Sequence, residues 1–139
     1  MNKMKKKIAV FMPNRGVGDA LFHYRFCKSL YAYHNKTIIL IAPHTTKANL
    51  IYKNNKIFSK IILLHLKRPK VLGYIKKIIY IVKNLLDFNF ETIYYTGDHK
   101  WQIISLKILN FFKKFELIYL PVKKNYTIDF GKCNPNHNG

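Results

Sequence analysis

Residues 8–21 read IAVFMPNRGVGDAL, an apolar run that leads through a proline and two glycines to an acidic residue. The pattern indicates a strand, a turn and the start of a helix. In a doubly wound α/β sheet such a turn lies at the carboxyl edge of the first strand, where ligands usually bind. A phosphate-binding turn presents backbone N–H groups and a positive helix dipole to its anion. Asp19 brings a negative charge instead, which favours a positioned acid or base over a dinucleotide site.

Apolar segments of strand length alternate with longer amphipathic segments along the chain. The predicted strands are residues 7–12, 37–42, 60–66, 91–96 and 117–120, and the predicted helices are residues 19–33, 71–87 and 101–112, with a short helix that ends near Tyr52. Unbroken apolar strands separated by helices indicate a parallel sheet covered on both faces. We therefore expect an α/β fold, a Rossmann-like three-layer sandwich with about five strands in the order 3-2-1-4-5. Residues 1–122 are expected to form this domain, and residues 123–139 a loosely ordered tail or the stub of a second domain.

Each of the long predicted helices carries apolar residues at helical spacing on one face. These residues are Phe22, Phe26, Leu30 and Tyr33 in the first helix, Leu72, Ile75, Ile79, Val82 and Leu86 in the second, and Trp101, Ile104, Ile108 and Phe111 in the third. In the second helix, Lys76, Lys77 and Lys83 fall on the other side. That lysine side is expected to be solvated, and contact with a membrane is the alternative.

The chain is strongly basic, with a formal net charge of +19 over 139 residues. Such a charge indicates an anionic partner: nucleic acid, a phosphorylated substrate or an anionic membrane surface. Compositional bias is the alternative, because Lys, Asn, Ile and Tyr are abundant together and share A/T-rich codons. Only three of the 25 basic residues are arginine, the residue that base readout and bidentate phosphate contacts favour. Nucleic acid is therefore the least favoured of these partners.

Size and composition limit the class of protein. Apolar residues make up 49 % of the chain, which predicts a globular domain. No apolar run approaches the ~20 residues of a membrane span, and the run after the basic start is too short for a signal-peptide core. The two cysteines, Cys27 and Cys133, form neither a zinc signature nor a disulfide framework. We expect a cytoplasmic protein, with peripheral association at the inner face of the cell membrane as the alternative.

Two segments are predicted to meet where the strand order reverses, between the first and fourth strands. They are the turn after the first strand and the loop of residues 96–100 after the fourth. The candidate catalytic residue is Asp19, and the candidate acceptor-binding residues are Arg15, Gly16, Gly18, Gly97, Asp98, His99 and Lys100. Titratable groups on two facing walls can take a proton from one substrate and hold the anionic group of another.

These residues also have structural explanations. An aspartate at a helix N-terminus is a favoured cap that stabilises by ~1 kcal/mol without any further role. Taken alone, Asp19 is more often a cap than a base. Gly16 and Gly18 can serve only a tight turn, Asp98 can cap the next helix, and Lys100 can simply be solvated.

Common cofactor motifs do not fit the chain. A dinucleotide fingerprint fails, because Leu21 replaces the third glycine and no acidic residue ends the second predicted strand. A P-loop is excluded since no GK[ST] sequence follows the turn. His44, His65 and His99 lack ligand spacing, so no metal is expected, and no cofactor is predicted.

Several segments together resemble the family-9 glycosyltransferases, the heptosyltransferases of lipopolysaccharide core assembly. The matching segments are the first strand and turn (7–11 and 16–21), the second strand with its trailing proline (38–43), the run into the third strand (57–62), and the fourth strand with its glycine loop (92–97). The resemblance covers residues 6–121. It implies a GT-B architecture, in which two Rossmann-like domains face each other and the amino-terminal domain takes the acceptor.

The resemblance also implies roles for particular residues. Asp19 matches the acid proposed as the general base that deprotonates the acceptor hydroxyl for inverting transfer without a metal. Lys100 falls where the family commonly carries an arginine in its acceptor region. The implied ligand is a phosphorylated or anionic glycan, and a nucleotide-sugar is expected only with a carboxy-terminal domain outside these 139 residues.

The resemblance therefore covers the acceptor half, and without a donor-binding domain we expect no sugar transfer. The alternatives for this half are a truncated product, a subunit that pairs with a separate donor domain, and a remnant that only binds. A non-catalytic nucleotide- or nucleic-acid-binding module with a Rossmann-like fold is the alternative function.

Overall fold

The computed structural model describes residues 6–14 and 16–120, in which strands alternate with helices. The strands are β1 (Lys7–Phe11), β2 (Ile38–Pro43), β3 (Phe58–Leu64), β4 (Phe90–Tyr95) and β5 (Glu116–Tyr119), and the helices are α1 (Val17–His34), α2 (Ala48–Ile51), α3 (Tyr74–Leu85) and α4 (Lys100–Lys113). Short 3-10 turns, His44–Thr46 and Val71–Gly73, precede α2 and α3. The predicted tail, residues 123–139, and the candidate Arg15 lie outside the described residues.

The strands form one parallel sheet in the order β3-β2-β1-β4-β5, which confirms the predicted fold class and strand order. Every residue of β2 is buried, and so is every residue of β1 after Lys7. Complete burial is expected of parallel strands that helices cover on both faces. The unbroken apolar runs in the sequence therefore mark the centre of the sheet.

Each face of the sheet packs against its own pair of helices. Residues of α1 and α2 belong to one core, and residues of α3 and α4 belong to the other. Successive residues of β1 alternate between the two, with Ile8 and Val10 in the first core and Ala9 and Phe11 in the second. The chain therefore continues from β1 to a helix on one face and from β4 to a helix on the other. The loops after these two neighbouring strands lead in opposite directions, which leaves a crevice between them at the carboxyl edge.

The buried sides of the long helices differ from the apolar faces predicted from spacing. In α3, Ile81 and Leu85 are fully buried. Leu72, Ile75 and Ile79, which the spacing places on one face, are 93, 71 and 58 % exposed. The apolar arc of α3 is wider than its contact with the sheet, so spacing alone does not identify the part of that arc that is buried. Leu72 also lies before the helix, in the 3-10 turn.

The same difference occurs in α1 and α4. The buried residues are Ala20, His23, Cys27 and Leu30 in α1, and Trp101, Gln102, Ser105, Leu106 and Leu109 in α4. Small and polar residues therefore occupy much of the helix–sheet contact, where small side chains allow close approach and polar ones find hydrogen-bond partners. Larger apolar residues such as Tyr33 and Phe111 stay exposed. Among the described residues, no helix combines the length and apolar character needed to span a bilayer.

Gly97 lies just after β4 and allows the loops after β1 and β4 to touch. A Cβ atom at Gly97 would stand 2.3 Å from Pro13 Cγ and 2.9 Å from the Tyr95 hydroxyl oxygen. Non-bonded carbon atoms normally meet at ~3.5–4 Å. Any side chain at Gly97 would therefore push these two loops apart.

We expect Gly97→Ala to lower the free energy of unfolding by ~1–3 kcal/mol, the range of overpacking substitutions. Gly18→Ala is the matched control, because nothing lies within 4 Å of a Cβ atom at Gly18. Alanine in this first turn of α1 is expected to leave stability unchanged or to raise it by up to ~1 kcal/mol. Urea unfolding followed by circular dichroism measures both variants, and equal stabilities would contradict the packing explanation.

Candidate functional site

The carboxylate of Asp19 caps the start of α1. Asp19 is the third residue of the helix, and its Oδ2 atom accepts a hydrogen bond of 3.0 Å from the backbone N–H of Gly16, the N-cap residue. The first N–H groups of a helix have no partner within the helix, and a negative charge interacts favourably with the positive end of the dipole. The capping explanation weighed in the sequence is thus present in the structure, and it holds the carboxylate in one orientation at the carboxyl edge of the sheet.

His23 joins the start of α1 to the carboxyl ends of β1 and β4. Its Nδ1 atom lies 2.8 Å from the backbone carbonyl of Asp19, and its Nε2 atom lies 3.2 Å from the hydroxyl oxygen of Thr96. Because the carbonyl can only accept, Nδ1 donates, and in the neutral ring Nε2 accepts from Thr96. The backbone N–H of Thr96 in turn donates to the carbonyl of Phe11 over 3.1 Å. The two loops predicted to face each other are therefore tied together at their base.

Burial keeps this histidine neutral. Desolvation lowers the pKa of His23 below its usual value of 6.5, and the nearby carbonyl and carboxylate of Asp19 oppose the shift in part. Sequence reasoning missed His23, although its position four residues after Asp19 on the same helix was a usable signal.

The loop after β4 is held by Tyr95. The Tyr95 hydroxyl donates to Gln102 Oε1 over 2.6 Å and accepts from the backbone N–H of His99 over 3.2 Å. Burial raises the pKa of the Tyr95 phenol, so this hydroxyl stays protonated. The N-cap residue of α4 is His99, with no side-chain cap hydrogen bond, so Asp98 does not cap this helix as the sequence allowed. Its carboxylate is exposed at the loop.

A cleft of about 460 Å³ opens beside the start of α4, on the α3 side of the sheet. Its lining residues are Arg68, Tyr74, Ile78, Asp98, His99, Lys100, Trp101 and Ile104. The Nε atom of Arg68 lies 3.5 Å from the Tyr74 hydroxyl, and the rings of Tyr74 and Trp101 meet edge to face with centroids 6.3 Å apart. Basic side chains and two aromatic rings therefore line one concave surface.

The cleft unites some of the predicted site residues and not others. Asp98, His99 and Lys100 line it, whereas Gly16, Gly18 and Asp19 do not belong to its lining. Gly97 lies between the two groups, against Pro13. Arg68 and Tyr74 were not predicted. Arg68 follows β3, and its place at the carboxyl edge of a neighbouring strand was the signal available in the sequence.

Among the described residues, His44, His65 and the buried Cys27 do not build a second site. His44 and His65, at the carboxyl ends of β2 and β3, place their rings 4.0 Å apart, and both are exposed. Within residues 6–14 and 16–120, no group of three or more His, Cys, Asp or Glu side chains is arranged to hold a metal ion. Burial raises the pKa of the Cys27 thiol to about 12, which leaves it protonated and unreactive at neutral pH.

No family model matches this chain, and comparisons with curated proteins and with solved structures found no significant match. The resemblance to family-9 glycosyltransferases therefore stays a prediction from the quoted residues. The parallel sheet and the cleft at its carboxyl edge are the observations from which function can be argued.

We expect Asp19→Ala to lower the free energy of unfolding by ~1 kcal/mol, because Gly16 loses its hydrogen-bond acceptor and the helix dipole loses its negative charge. Asp19→Asn keeps an acceptor oxygen and is expected to lose only a few tenths of this amount. Urea unfolding at neutral pH compares the two. A wild-type stability for Asp19→Ala would contradict the capping role.

The neutral state of His23 predicts a dependence of stability on pH. The unfolded chain binds a proton on His23 near pH 6.5, whereas the folded chain binds it only at lower pH. Stability is therefore expected to fall as the pH decreases from about 7 to about 5, since the unfolded state binds more protons there. In His23→Gln this contribution is absent, so the pH profile of the unfolding free energy becomes shallower.

Urea unfolding at several pH values across that interval tests the prediction. His44→Gln controls for the removal of an exposed histidine. The same pH slope in the wild type and in His23→Gln would show that His23 does not hold its neutral state through burial.

Proposed function

We propose that this chain is the acceptor-binding half of an inverting glycosyltransferase of the kind it resembles in sequence. In this proposal the cleft beside α4 binds a phosphorylated glycan acceptor. The observation that carries the proposal is the combination of Arg68, His99 and Lys100 with two aromatic rings at the carboxyl edge of a parallel sheet. Ligands of open α/β sheets bind at this edge, where neighbouring strands lead to opposite faces.

The chemistry of the cleft suits a sugar that carries phosphate. The Arg68 guanidinium can bind phosphate oxygens in a bidentate manner, and Lys100 adds a second fixed positive charge. The rings of Tyr74 and Trp101 offer apolar surface to the C–H faces of a sugar, and the Asp98 carboxylate can accept hydrogen bonds from its hydroxyl groups. The cleft volume of about 460 Å³ falls within the usual range for small-ligand sites.

In the proposed reaction Asp19 is the general base. It takes the proton of the acceptor hydroxyl while that oxygen forms a bond to the anomeric carbon of the donor sugar. The nucleoside diphosphate leaves from the opposite face with the electrons of the broken bond. The hydrogen bond from Gly16 supports this role, because it orients the carboxylate before the acceptor arrives.

Two conditions follow for this reaction. Asp19 lies outside the cleft lining, so the acceptor must extend from the cleft past Gly97 toward the start of α1. The nucleotide-sugar would bind to a second, donor-binding domain, and no metal enters the proposed step.

Binding of a phosphorylated core oligosaccharide, measured by calorimetry at about 0.15 M NaCl, tests the proposal. The double variant Arg68→Ala/Lys100→Ala is expected to bind about ten-fold or more weakly, because each charge-assisted hydrogen bond contributes ~1.5–3 kcal/mol. The same oligosaccharide without phosphate is expected to bind the wild type weakly, and its affinities for the wild type and the double variant are expected to be similar.

Lys28→Ala/Lys53→Ala is the matched control, since it removes the same charge from exposed positions near α1 and α2. The proposal is overturned if both double variants bind the acceptor alike. It is also overturned if a single-stranded oligonucleotide binds more tightly than the glycan at the same salt concentration. That second result would favour the nucleic-acid-binding alternative.

A further inference from the structure

The outer surface formed by α3 and α4 is unusually apolar for an exposed surface. Its large exposed side chains are Leu72, Ile75, Ile79, Leu86, Ile104, Ile108, Phe111 and Phe112, which we call the α3–α4 face. Single exposed apolar residues are common on proteins, but a contiguous patch marks an interaction surface. None of these side chains belongs to the core that α3 and α4 form with the sheet.

A groove runs along this face between the two helices. It encloses about 360 Å³, and its lining residues are Ile78, Ile79, Val82, Lys83, Leu86, Ile108 and Phe112. Lys83 contributes the one charged side chain of that lining. A long lysine can lay its methylene groups along apolar surface while its ammonium reaches the polar side of an interface.

The charge on these helices has a single sign. Helices α3 and α4 together carry six lysines, Lys76, Lys77, Lys83, Lys100, Lys107 and Lys113, and neither contains an acidic residue. By contrast, α1 contains Asp19 together with Arg25 and Lys28. An apolar surface bordered by positive charge complements a bilayer with anionic headgroups, in which apolar side chains enter the acyl boundary and lysines contact the headgroups.

We propose that the α3–α4 face docks the protein peripherally on an anionic lipid bilayer. A second copy of the chain is a poorer occupant, because a symmetric contact through the groove would bring Lys83 and the neighbouring lysines of both copies together with no acidic residue of α3 or α4 to pair with them. Helix α1 packs on the other face of the sheet, so its exposed residues would point away from the bilayer.

This face continues into the cleft beside α4. Ile78 lines both the groove and the cleft, and Ile104 is both exposed on the face and part of the cleft lining. The mouth of the cleft would therefore lie near the headgroup region of a bilayer on which the face is docked. The docking itself does not depend on what the cleft binds.

Sedimentation with lipid vesicles tests the proposal. The full chain is mixed with vesicles of phosphatidylcholine alone or with about one-third phosphatidylglycerol, and we expect binding only to the anionic vesicles. Leu72→Ser/Ile79→Ser/Phe111→Ser removes apolar side chains from the α3–α4 face and is expected to weaken that binding by about ten-fold or more. Circular dichroism and urea unfolding establish that each variant is folded.

The matched control is Leu21→Ser/Tyr33→Ser/Leu50→Ser, which removes side chains that are 54, 80 and 66 % exposed from α1 and α2. It is expected to bind anionic vesicles within about two-fold of the wild type. A second pair of variants, Lys83→Gln/Lys107→Gln and Lys28→Gln/Lys53→Gln, tests the charge in the same way. The pair on the α3–α4 face is expected to lower vesicle binding more.

Three results would overturn the proposal. One is a wild-type chain that does not sediment with anionic vesicles. Another is an equal loss of binding in the two triple variants, which would show that net charge or general apolar exposure drives the association. The third is a dimer in analytical ultracentrifugation that the triple variant on the α3–α4 face dissociates, since a second copy would then be the occupant of the face.

Discussion

The architecture depends on the complete burial of β1 between β2 and β4. Its backbone pairs on both sides, and its side chains alternate between two cores, so neither edge nor face of β1 contacts water after Lys7. The ladder continues past the end of the strand, where the carbonyl of Phe11 accepts from Thr96 and the N–H of Met12 donates to Ile41. This pairing brings the loops after β1 and β4 together. The candidate residues of these two loops, from Gly16 to Asp19 and from Gly97 to Lys100, take their positions from it.

The fold was predictable from the sequence because a strand that is buried on both faces of the sheet consists of consecutive apolar residues. Residues 8–12 and 38–42 are unbroken apolar runs, and runs of this kind separated by helices specify a parallel sheet. The strand order followed from general rules on chain connections. The helix faces were not predictable in the same way, since α3 and α4 carry large apolar side chains at exposed as well as at buried positions. His23 is buried with Thr96 as a hydrogen-bond partner, and a partner so distant in sequence leaves no periodic signal.

The candidate site was predictable only in part, for a related reason. Residues 98–100 follow a recognisable strand and were placed at the carboxyl edge correctly. Arg68 and Tyr74 reach the same cleft from a segment about thirty residues earlier in the chain, through the way α3 packs against α4. Asp19, by contrast, was identified from the sequence. Only the structure shows that one of its carboxylate oxygens accepts a hydrogen bond from the backbone N–H of Gly16.

Compositional bias can explain how many lysines and isoleucines the chain has, whereas a function depends on where they lie. A bias toward A/T-rich codons raises the number of lysines and isoleucines, but it does not choose the positions at which they are exposed. The acidic residues of the described chain lie outside α3 and α4, at Asp19, Asp87, Glu91, Asp98 and Glu116. The result is a groove and a set of exposed aliphatic and aromatic side chains on two helices whose charged residues are all lysines. Helix α1 also exposes large apolar residues such as Leu21 and Tyr33, but its charged residues include Asp19, so the groove together with lysines of one sign is what distinguishes α3 and α4.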